Sequence, residues 1–133
     1  PWGRPDMAYY IFTNNILNNK TIDVYNNGKM KRDFTYIDDI ISGIRSAIDK
    51  NYKCEIFNLG NNKSEELMDF IEIIQQELQI KAKINFKSIQ PGDVEITYAD
   101  IDKTKKMLSY NPKINLLNGM KIFIEWYKFF YNH

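Results

Sequence analysis

The sequence predicts an α/β fold, and three observations lead to that prediction. Short apolar segments typical of strands alternate along the chain with longer segments whose apolar residues recur at helical spacing. Turn sequences such as Asn26-Asn27-Gly28 and Gln90-Pro91-Gly92-Asp93 separate these segments. The chain has 133 residues, of which 44% are hydrophobic, so it is long and apolar enough for one domain with a buried core.

The first fifty residues are predicted to form two helices and two extended segments. Pro5-Asp6 is suited to a helix start, since proline fits the first helical position and aspartate is favoured near the positive end. The predicted elements are a helix from there to about residue 19, a strand over 21–25, an extended segment over 32–36 and a helix over 37–50. The last helix carries Ile37, Ile40, Ile41, Ile44 and Ile48 on one face.

The remaining residues are predicted to alternate between strands and helices as well. Ser64 is placed to cap a helix that carries Leu67, Ile71, Ile74 and Leu78 at helical spacing. The other predicted elements are strands over 55–59 and 83–89, a short helix from Asp100 to 108, and a last helix over about 115–131. The aromatic residues of that last helix, at helical spacing, indicate packing rather than nucleic-acid stacking.

Composition excludes several classes of function. Eighteen basic and seventeen acidic side chains give a net charge of +1, which argues against nucleic-acid binding. No apolar run approaches the ~18 residues of a membrane span. The single histidine, His133, is the last residue, and Asp38-Asp39 at a helix start is better explained by helix capping than by a metal. The single cysteine, Cys54, is expected to be buried, and it favours a reducing, cytoplasmic location.

Two features lead us to expect that the chain is a piece of a larger protein. It begins with Pro-Trp-Gly rather than methionine. The apolar segment 55–59 reads as a strand buried on both faces, and such a strand needs a parallel neighbour that the rest of the chain does not offer.

Four local sequences together carry a resemblance to a known family. They are Gly3-Arg4-Pro5-Asp6-Met7, Ile22-Asp23-Val24-Tyr25-Asn26-Asn27-Gly28, Arg32-Asp33-Phe34-Thr35-Tyr36-Ile37-Asp38-Asp39 and Gln90-Pro91-Gly92-Asp93-Val94. In order and content they resemble the C-terminal part of the NAD-dependent sugar-nucleotide epimerases and dehydratases, the extended short-chain dehydrogenase/reductase family. The first and last resemble most the UDP-glucuronate 4-epimerase branch, which is associated with capsular polysaccharide biosynthesis.

The resemblance implies that residues 1–133 form a single C-terminal nucleotide-sugar-binding segment. In the family, an N-terminal Rossmann domain carries the NAD loop and a catalytic Tyr-x-x-x-Lys pair, and the resemblance places both outside this chain. We therefore expect a substrate-binding lobe that lacks most of the Rossmann domain. The complete enzyme would use NAD, whereas this chain alone is expected to hold no cofactor or metal and to be inactive.

The resemblance also assigns substrate-binding roles to six residues. Arg32 matches the arginine that reaches the substrate diphosphate, a role suited to a guanidinium fork; the alternative is a salt bridge to a nearby carboxylate. Asp23 and Tyr25 match the short strand beside the uracil, where most contacts come from the backbone. Simple strand packing is an equally good interpretation of Tyr25.

Three further residues complete the expected site. Asp93 matches an aspartate near the ribose, and Gln90 stands where many relatives carry an arginine. Arg4 matches a position close to the sugar, where a guanidinium would pair with a uronate carboxylate. A solvent-exposed arginine at a helix start is an equally good interpretation of Arg4.

The leading hypothesis is the UDP-sugar-binding portion of an NAD-dependent 4-epimerase of the UDP-glucuronate to UDP-galacturonate type. One alternative is an inactive remnant that only self-associates or binds a partner, because apolar faces left uncovered tend to associate. That alternative predicts a homodimer or another assembly through such faces. Another is part of a related nucleotide-sugar dehydratase or decarboxylase, which would share every feature described above.

Overall fold

The structure, a computed structural model, describes residues 6–132. Within them the chain forms five helices and four short strands. In chain order these are α1 (Ala8–Leu17), β1 (Thr21–Val24), β2 (Lys31–Asp33), α2 (Ile37–Lys50), β3 (Ser64–Glu66), α3 (Leu67–Leu78), β4 (Lys83–Phe86), α4 (Asp102–Leu108) and α5 (Leu116–Tyr131). A 3-10 turn, Tyr25–Gly28, follows β1 directly.

The strands form two separate pairs rather than one sheet. β1 pairs in parallel with β4, with Ile22 opposite Ile84 and Val24 opposite Phe86. β2 pairs antiparallel with β3, with Arg32 opposite Glu65. The backbone of Lys31 also bonds to the segment after β4, where its N–H donates to the carbonyl of Glu95 over 2.8 Å. β2 therefore has a partner on each side.

The main core lies between β1 and the helices α1, α3 and α5. Ile22 and Val24 of β1 are fully buried there, beside Phe70 and Ile74 of α3. Phe70 also stacks on Phe34, with the ring centroids 4.8 Å apart. Burial of these apolar side chains is the main stabilising contribution to this part of the fold.

A second, smaller core fixes one side of α2. It contains Ile101, Leu108 and Tyr110 together with the partly buried Phe57 and Leu59. Gly43 of α2 lies directly against this cluster, since a Cβ there would come within 2.4 Å of the Leu59 side chain. Only a glycine allows α2 to approach so closely.

Most predicted elements are confirmed. α2 has the predicted bounds, and the four predicted apolar residues of α3 are all buried. Asn115 caps α5 through its side chain, which accepts a hydrogen bond of 2.8 Å from the Asn118 N–H. The predicted short helix α4 is present, but Ile101 and not Asp100 holds its cap position; Asp100 accepts a bond of 3.0 Å from the Asp102 N–H just before the helix.

Three predictions are wrong. Residues 55–59 form no strand, because no other described segment pairs with them, and Ile56 is 82% exposed. Ser64 does not cap α3 but begins β3, whose pairing with β2 occupies the backbone there. Cys54 is exposed rather than buried, since it precedes that same uncovered segment.

α2 leaves one apolar face open, in contrast to α3. Its isoleucine face points away from the second core, and four of its side chains are between 43% and 71% exposed: Ile37, Ile41, Ile44 and Ile48. No helix in the described part of the chain is long and apolar enough to cross a membrane.

Candidate functional site

A cavity of about 1100 Å³ opens between α1, β1, β2 and α5. Four of the predicted site residues line it: Asp23, Tyr25, Arg32 and Asp93. Part of its lining is apolar and aromatic, with Met120, Phe123 and Trp126 from α5. A large pocket that is mostly apolar and has a few polar groups is typical of a small-molecule site.

Arg32 presents an unneutralised guanidinium to this cavity. Its Nη1 donates to the carbonyls of Lys31 and Glu95, over 2.9 and 3.2 Å, which fixes the side chain against the backbone. Within residues 6–132 no carboxylate pairs with it, and Glu65, opposite it across the strand pair, pairs with Lys63 over 2.7 Å. The salt-bridge alternative for Arg32 therefore finds no support, and its charge is available for an anion.

The Asp23 side chain is hydrogen-bonded to two residues, Asn85 in β4 and Lys87 just after it. Its carboxylate accepts bonds from Lys87 Nζ over 2.7 Å and from Asn85 Nδ2 over 2.8 Å. The bonds from Lys87 and Asn85 hold the pKa of the Asp23 carboxyl below its ordinary value, and the bond to Asp23 raises the pKa of Lys87. The Lys87 ammonium also lies 5.9 Å from the centre of the Tyr25 ring.

Lys87 is therefore a residue that the sequence analysis missed. Its position two residues after Asn85, on one side of an alternating segment, is the signal that would have found it. Both backbone polar groups of Lys87 are hydrogen-bonded. Its N–H donates to the Val24 carbonyl, and its carbonyl accepts from the Asn27 N–H. These bonds tie Lys87 to the end of β1 and to the turn that follows it, next to Asp23 and Tyr25.

Asp93 and Gln90 lie in the exposed turn that follows β4. Asp93 lines the cavity, whereas Gln90 does not. The Asp93 N–H donates to the Gln90 carbonyl over 3.1 Å, and Gly92 between them has φ +86°, a value that glycine adopts readily. The turn thus brings one of the two predicted residues to the site. Arg4, the sixth predicted residue, lies outside the described residues.

Two other aspartates hold backbone segments together. Asp33 accepts three backbone bonds, from the N–H groups of Asn61, Asn62 and Ala99, all between 2.9 and 3.1 Å. Asp39, only 6% exposed, accepts bonds of 3.0 Å from the N–H groups of Lys113 and Ile114. These contacts give Asp33 and Asp39 structural roles, and residues 6–132 contain no cluster of metal-ligand side chains.

The spacing Tyr-x-x-x-Lys does occur once, at Tyr25 and Lys29, although the sequence analysis placed that pair outside the chain. Residues four apart face the same way on an α-helix. Here Asn26 and Asn27 between them have φ of 50° and 49°, so the segment is a tight turn and not an α-helix. Tyr25 and Lys29 are therefore not arranged as a helical catalytic pair.

The sequence is similar to several known proteins, among them a UDP-glucuronate 4-epimerase. It is 53% identical over 126 residues to an uncharacterized protein of Methanocaldococcus jannaschii, 38% identical over 151 residues to protein CapI of Staphylococcus aureus, and 40% identical over 149 residues to UDP-glucuronate 4-epimerase 4 of Arabidopsis thaliana. These matches cover 95%, 98% and 99% of this chain but only 39%, 45% and 34% of the relatives. The chain thus spans less than half the length of each.

A similar fold occurs in the UDP-glucuronic acid 4-epimerase of Bacillus cereus, solved in complex with UDP-glucuronic acid and NAD. The match has a TM-score of 0.91 at 32% identity and covers 98% of this chain and 42% of that one. The family model described as GDP-mannose 4,6 dehydratase matches residues 8–123, which is most of the chain. The chain therefore belongs to this family of nucleotide-sugar epimerases and dehydratases within the extended short-chain dehydrogenase/reductases.

Proposed function

We propose that this chain is the UDP-sugar-binding portion of an NAD-dependent nucleotide-sugar 4-epimerase that interconverts UDP-glucuronate and UDP-galacturonate. The observation that carries the proposal is the Arg32 guanidinium, which no described carboxylate pairs with, in a cavity that Asp23, Tyr25 and Asp93 also line. The similarity to UDP-glucuronate 4-epimerases supports this choice of reaction. The proposal also includes substrate contacts by Asp93 and by Arg4, which lies outside the described residues.

The roles of the residues follow from their chemistry. The Arg32 fork suits a diphosphate, because the backbone carbonyls that hold it leave its positive charge uncompensated. Asp93, exposed at the cavity edge, suits a ribose hydroxyl as a hydrogen-bond acceptor. Asp23 is occupied by Lys87 and Asn85, so its side chain serves to hold β1 and β4 together beside the base. Gln90 does not line the cavity, so it would contact a ligand only if ligand binding moved the turn inward.

The chemical step belongs to parts of the complete enzyme beyond this chain. In the Bacillus cereus structure the epimerase holds NAD, which would take and return the hydride at the sugar. The described residues offer no nucleotide-binding glycine loop and no helical Tyr-x-x-x-Lys pair. We therefore propose that the chain alone is inactive and binds UDP-sugars weakly. We also propose that the complete protein is cytoplasmic.

Calorimetric titration with UDP and with UDP-glucuronate tests this proposal. We expect saturable binding by the wild-type chain and at least a tenfold weaker affinity in Arg32→Ala, because one charge-assisted phosphate contact is lost. The control is Lys121→Ala, which removes a cation from the surface of α5 where it lies 3.6 Å from Glu77. Equal affinity in wild type and Arg32→Ala, with the fold intact, would contradict the proposed role of Arg32.

A further inference from the structure

Lys87 contacts the end of β1 and the turn after it through three different groups. Its backbone N–H and carbonyl bond to Val24 and Asn27, over 2.9 and 3.0 Å. Its ammonium pairs with Asp23 over 2.7 Å and lies 5.9 Å from the centre of the Tyr25 ring. One residue thus holds both the Tyr25 ring and the backbone on either side of it.

We propose that Lys87 is a positioning residue, which sets the place of the Tyr25 ring so that a nucleobase stacks on it. A cation near an aromatic ring is attracted to the face of that ring. Tyr25 lines the cavity and Lys87 does not, so the ammonium holds the ring without occupying the space that a ligand would take. This inference rests on the proposed function, because it takes the base to lie beside β1.

The strand pattern explains why these side chains meet. Alternate residues of β1 are buried in the core, so Asp23 and Tyr25 point to the other side, where both line the cavity. Asn85 lies opposite Asp23 in the parallel pair of β1 and β4. Lys87 is two residues further along, which places it level with Tyr25 and on the same side.

The ion pair with Asp23 keeps the Lys87 ammonium in place beside the ring. The bond to Asp23 raises the pKa of Lys87, so the side chain is charged at neutral pH. Both side chains are 42% exposed, and ion pairs with that exposure contribute little to stability. Removal of the ammonium should therefore leave the fold intact and change the position of the ring.

Calorimetric titration of the full chain with UDP and with inorganic pyrophosphate tests this role, because pyrophosphate has the charge of a diphosphate but no base. We expect Lys87→Met to bind UDP about threefold more weakly than the wild type, since the cation–π contact that orients the ring is lost. Its affinity for pyrophosphate should not change. Lys87→Arg should restore the affinity for UDP, because a guanidinium can make the same two contacts.

Lys83→Met is the matched control. Lys83 lies on the same side of β4, but its ammonium donates to the Asn19 carbonyl over 3.4 Å, so the affinity for UDP should stay at the wild-type value. A double variant tests whether Lys87 acts through the ring. In the Tyr25→Leu background, Lys87→Met should cause no further loss of affinity. Circular dichroism confirms that each variant is folded.

The outcomes separate this inference from the proposed function. Equal affinity for UDP in the wild type and Lys87→Met overturns the inference and leaves the proposed function in place. An equal loss for pyrophosphate, which would make Lys87 a phosphate contact, overturns it too, as does a further loss in the Tyr25→Leu background. A wild type that binds neither UDP nor pyrophosphate overturns the proposed function and this inference with it.

Discussion

The helices α2 and α3 have similar sequences in one respect and opposite surroundings in the structure. Each carries large aliphatic residues at helical spacing on one face. On α3 that face is buried, with Phe70, Ile71 and Ile74 all at 0% exposure, whereas the corresponding face of α2 is open. The difference shows that helical periodicity identifies an apolar face but does not say whether the same chain covers it.

α2 is held to the domain by different means. Its covered side relies on a close approach at Gly43 and on the buried Asp39 carboxylate, which bonds two backbone N–H groups before α5. α3 relies on apolar burial against α1, α5 and β1. α3 thus packs into the core through its isoleucines, whereas α2 is held by a glycine contact and a buried carboxylate that leave most of its isoleucines exposed.

Truncation of equivalent isoleucines gives the largest expected contrast. Ile74→Ala on α3 should lower the free energy of unfolding by about 3 kcal/mol, because it leaves a cavity in a closely packed core. Ile48→Ala on α2, whose side chain is 71% exposed, should change it by less than about 0.5 kcal/mol. Urea denaturation in dilute protein measures both, and similar losses in the two variants would show that α2 is covered as α3 is.

Removal of the polar anchor of α2 is expected to have the next largest effect. Asp39→Ala should cost about 2 kcal/mol, since it removes a buried carboxylate and leaves the partly buried N–H groups of Lys113 and Ile114 without that acceptor. Asp38→Ala, an exposed neighbour in the same first helical turn, is the control and should cost well under half as much. Equal effects measured by urea denaturation would mean that helix-end electrostatics and not the two bonds hold α2.

The smallest effect concerns the contact between α2 and the second core at high pH. Burial, with the nearby charges of Asp39 and Asp33, raises the pKa of Tyr110 to about 12. The protonated phenol is the form that the folded state favours, so its contribution is complete below the ordinary value of 10.0 and is lost as the pH rises toward 12.

Spectroscopic titration of the Tyr110 phenol, compared with unfolding measured between pH 9 and 11.5, tests this expectation. The free energy of unfolding should decline over that interval in the wild type. In Tyr110→Phe the decline should be smaller, after an overall loss from the missing bond to the Gly60 carbonyl. Ionisation of Tyr110 near pH 10 would show that the contact with α2 is open to water.

Much of the fold was predictable because its signals are local. The helix bounds of α2, the buried face of α3 and the cap of α5 depend on residues within one or two turns of each other. The turns at Asn26-Asn27-Gly28 and at Gly92 depend on residues that accept positive φ. Of the six residues that the resemblance assigned to the site, four line the cavity, and their substrate-binding roles stay predictions.

The errors arise where the outcome depends on distant residues. Ser64 has the sequence of a helix cap, but its segment is drawn into β3 by β2, where Lys31 and Glu66 also form an ion pair of 2.9 Å. Residues 55–59 have the sequence of a buried strand, but a strand exists only if a second segment offers its backbone. Lys87 was missed as the partner of Asp23 because the two residues lie 64 positions apart.

The sequence by itself determined the alternation of helices and strands, the face that each helix presents and the family to which the chain belongs. These properties follow from residue spacing, local backbone preferences and recognisable motifs. Only the tertiary structure decided that Arg32 pairs with no described carboxylate beside the cavity, that Asp23 is bound by Lys87, and that the apolar face of α3 is covered while that of α2 is open. Those outcomes depend on which segments, distant in sequence, come into contact, and the local conformational preferences of the residues do not specify these contacts.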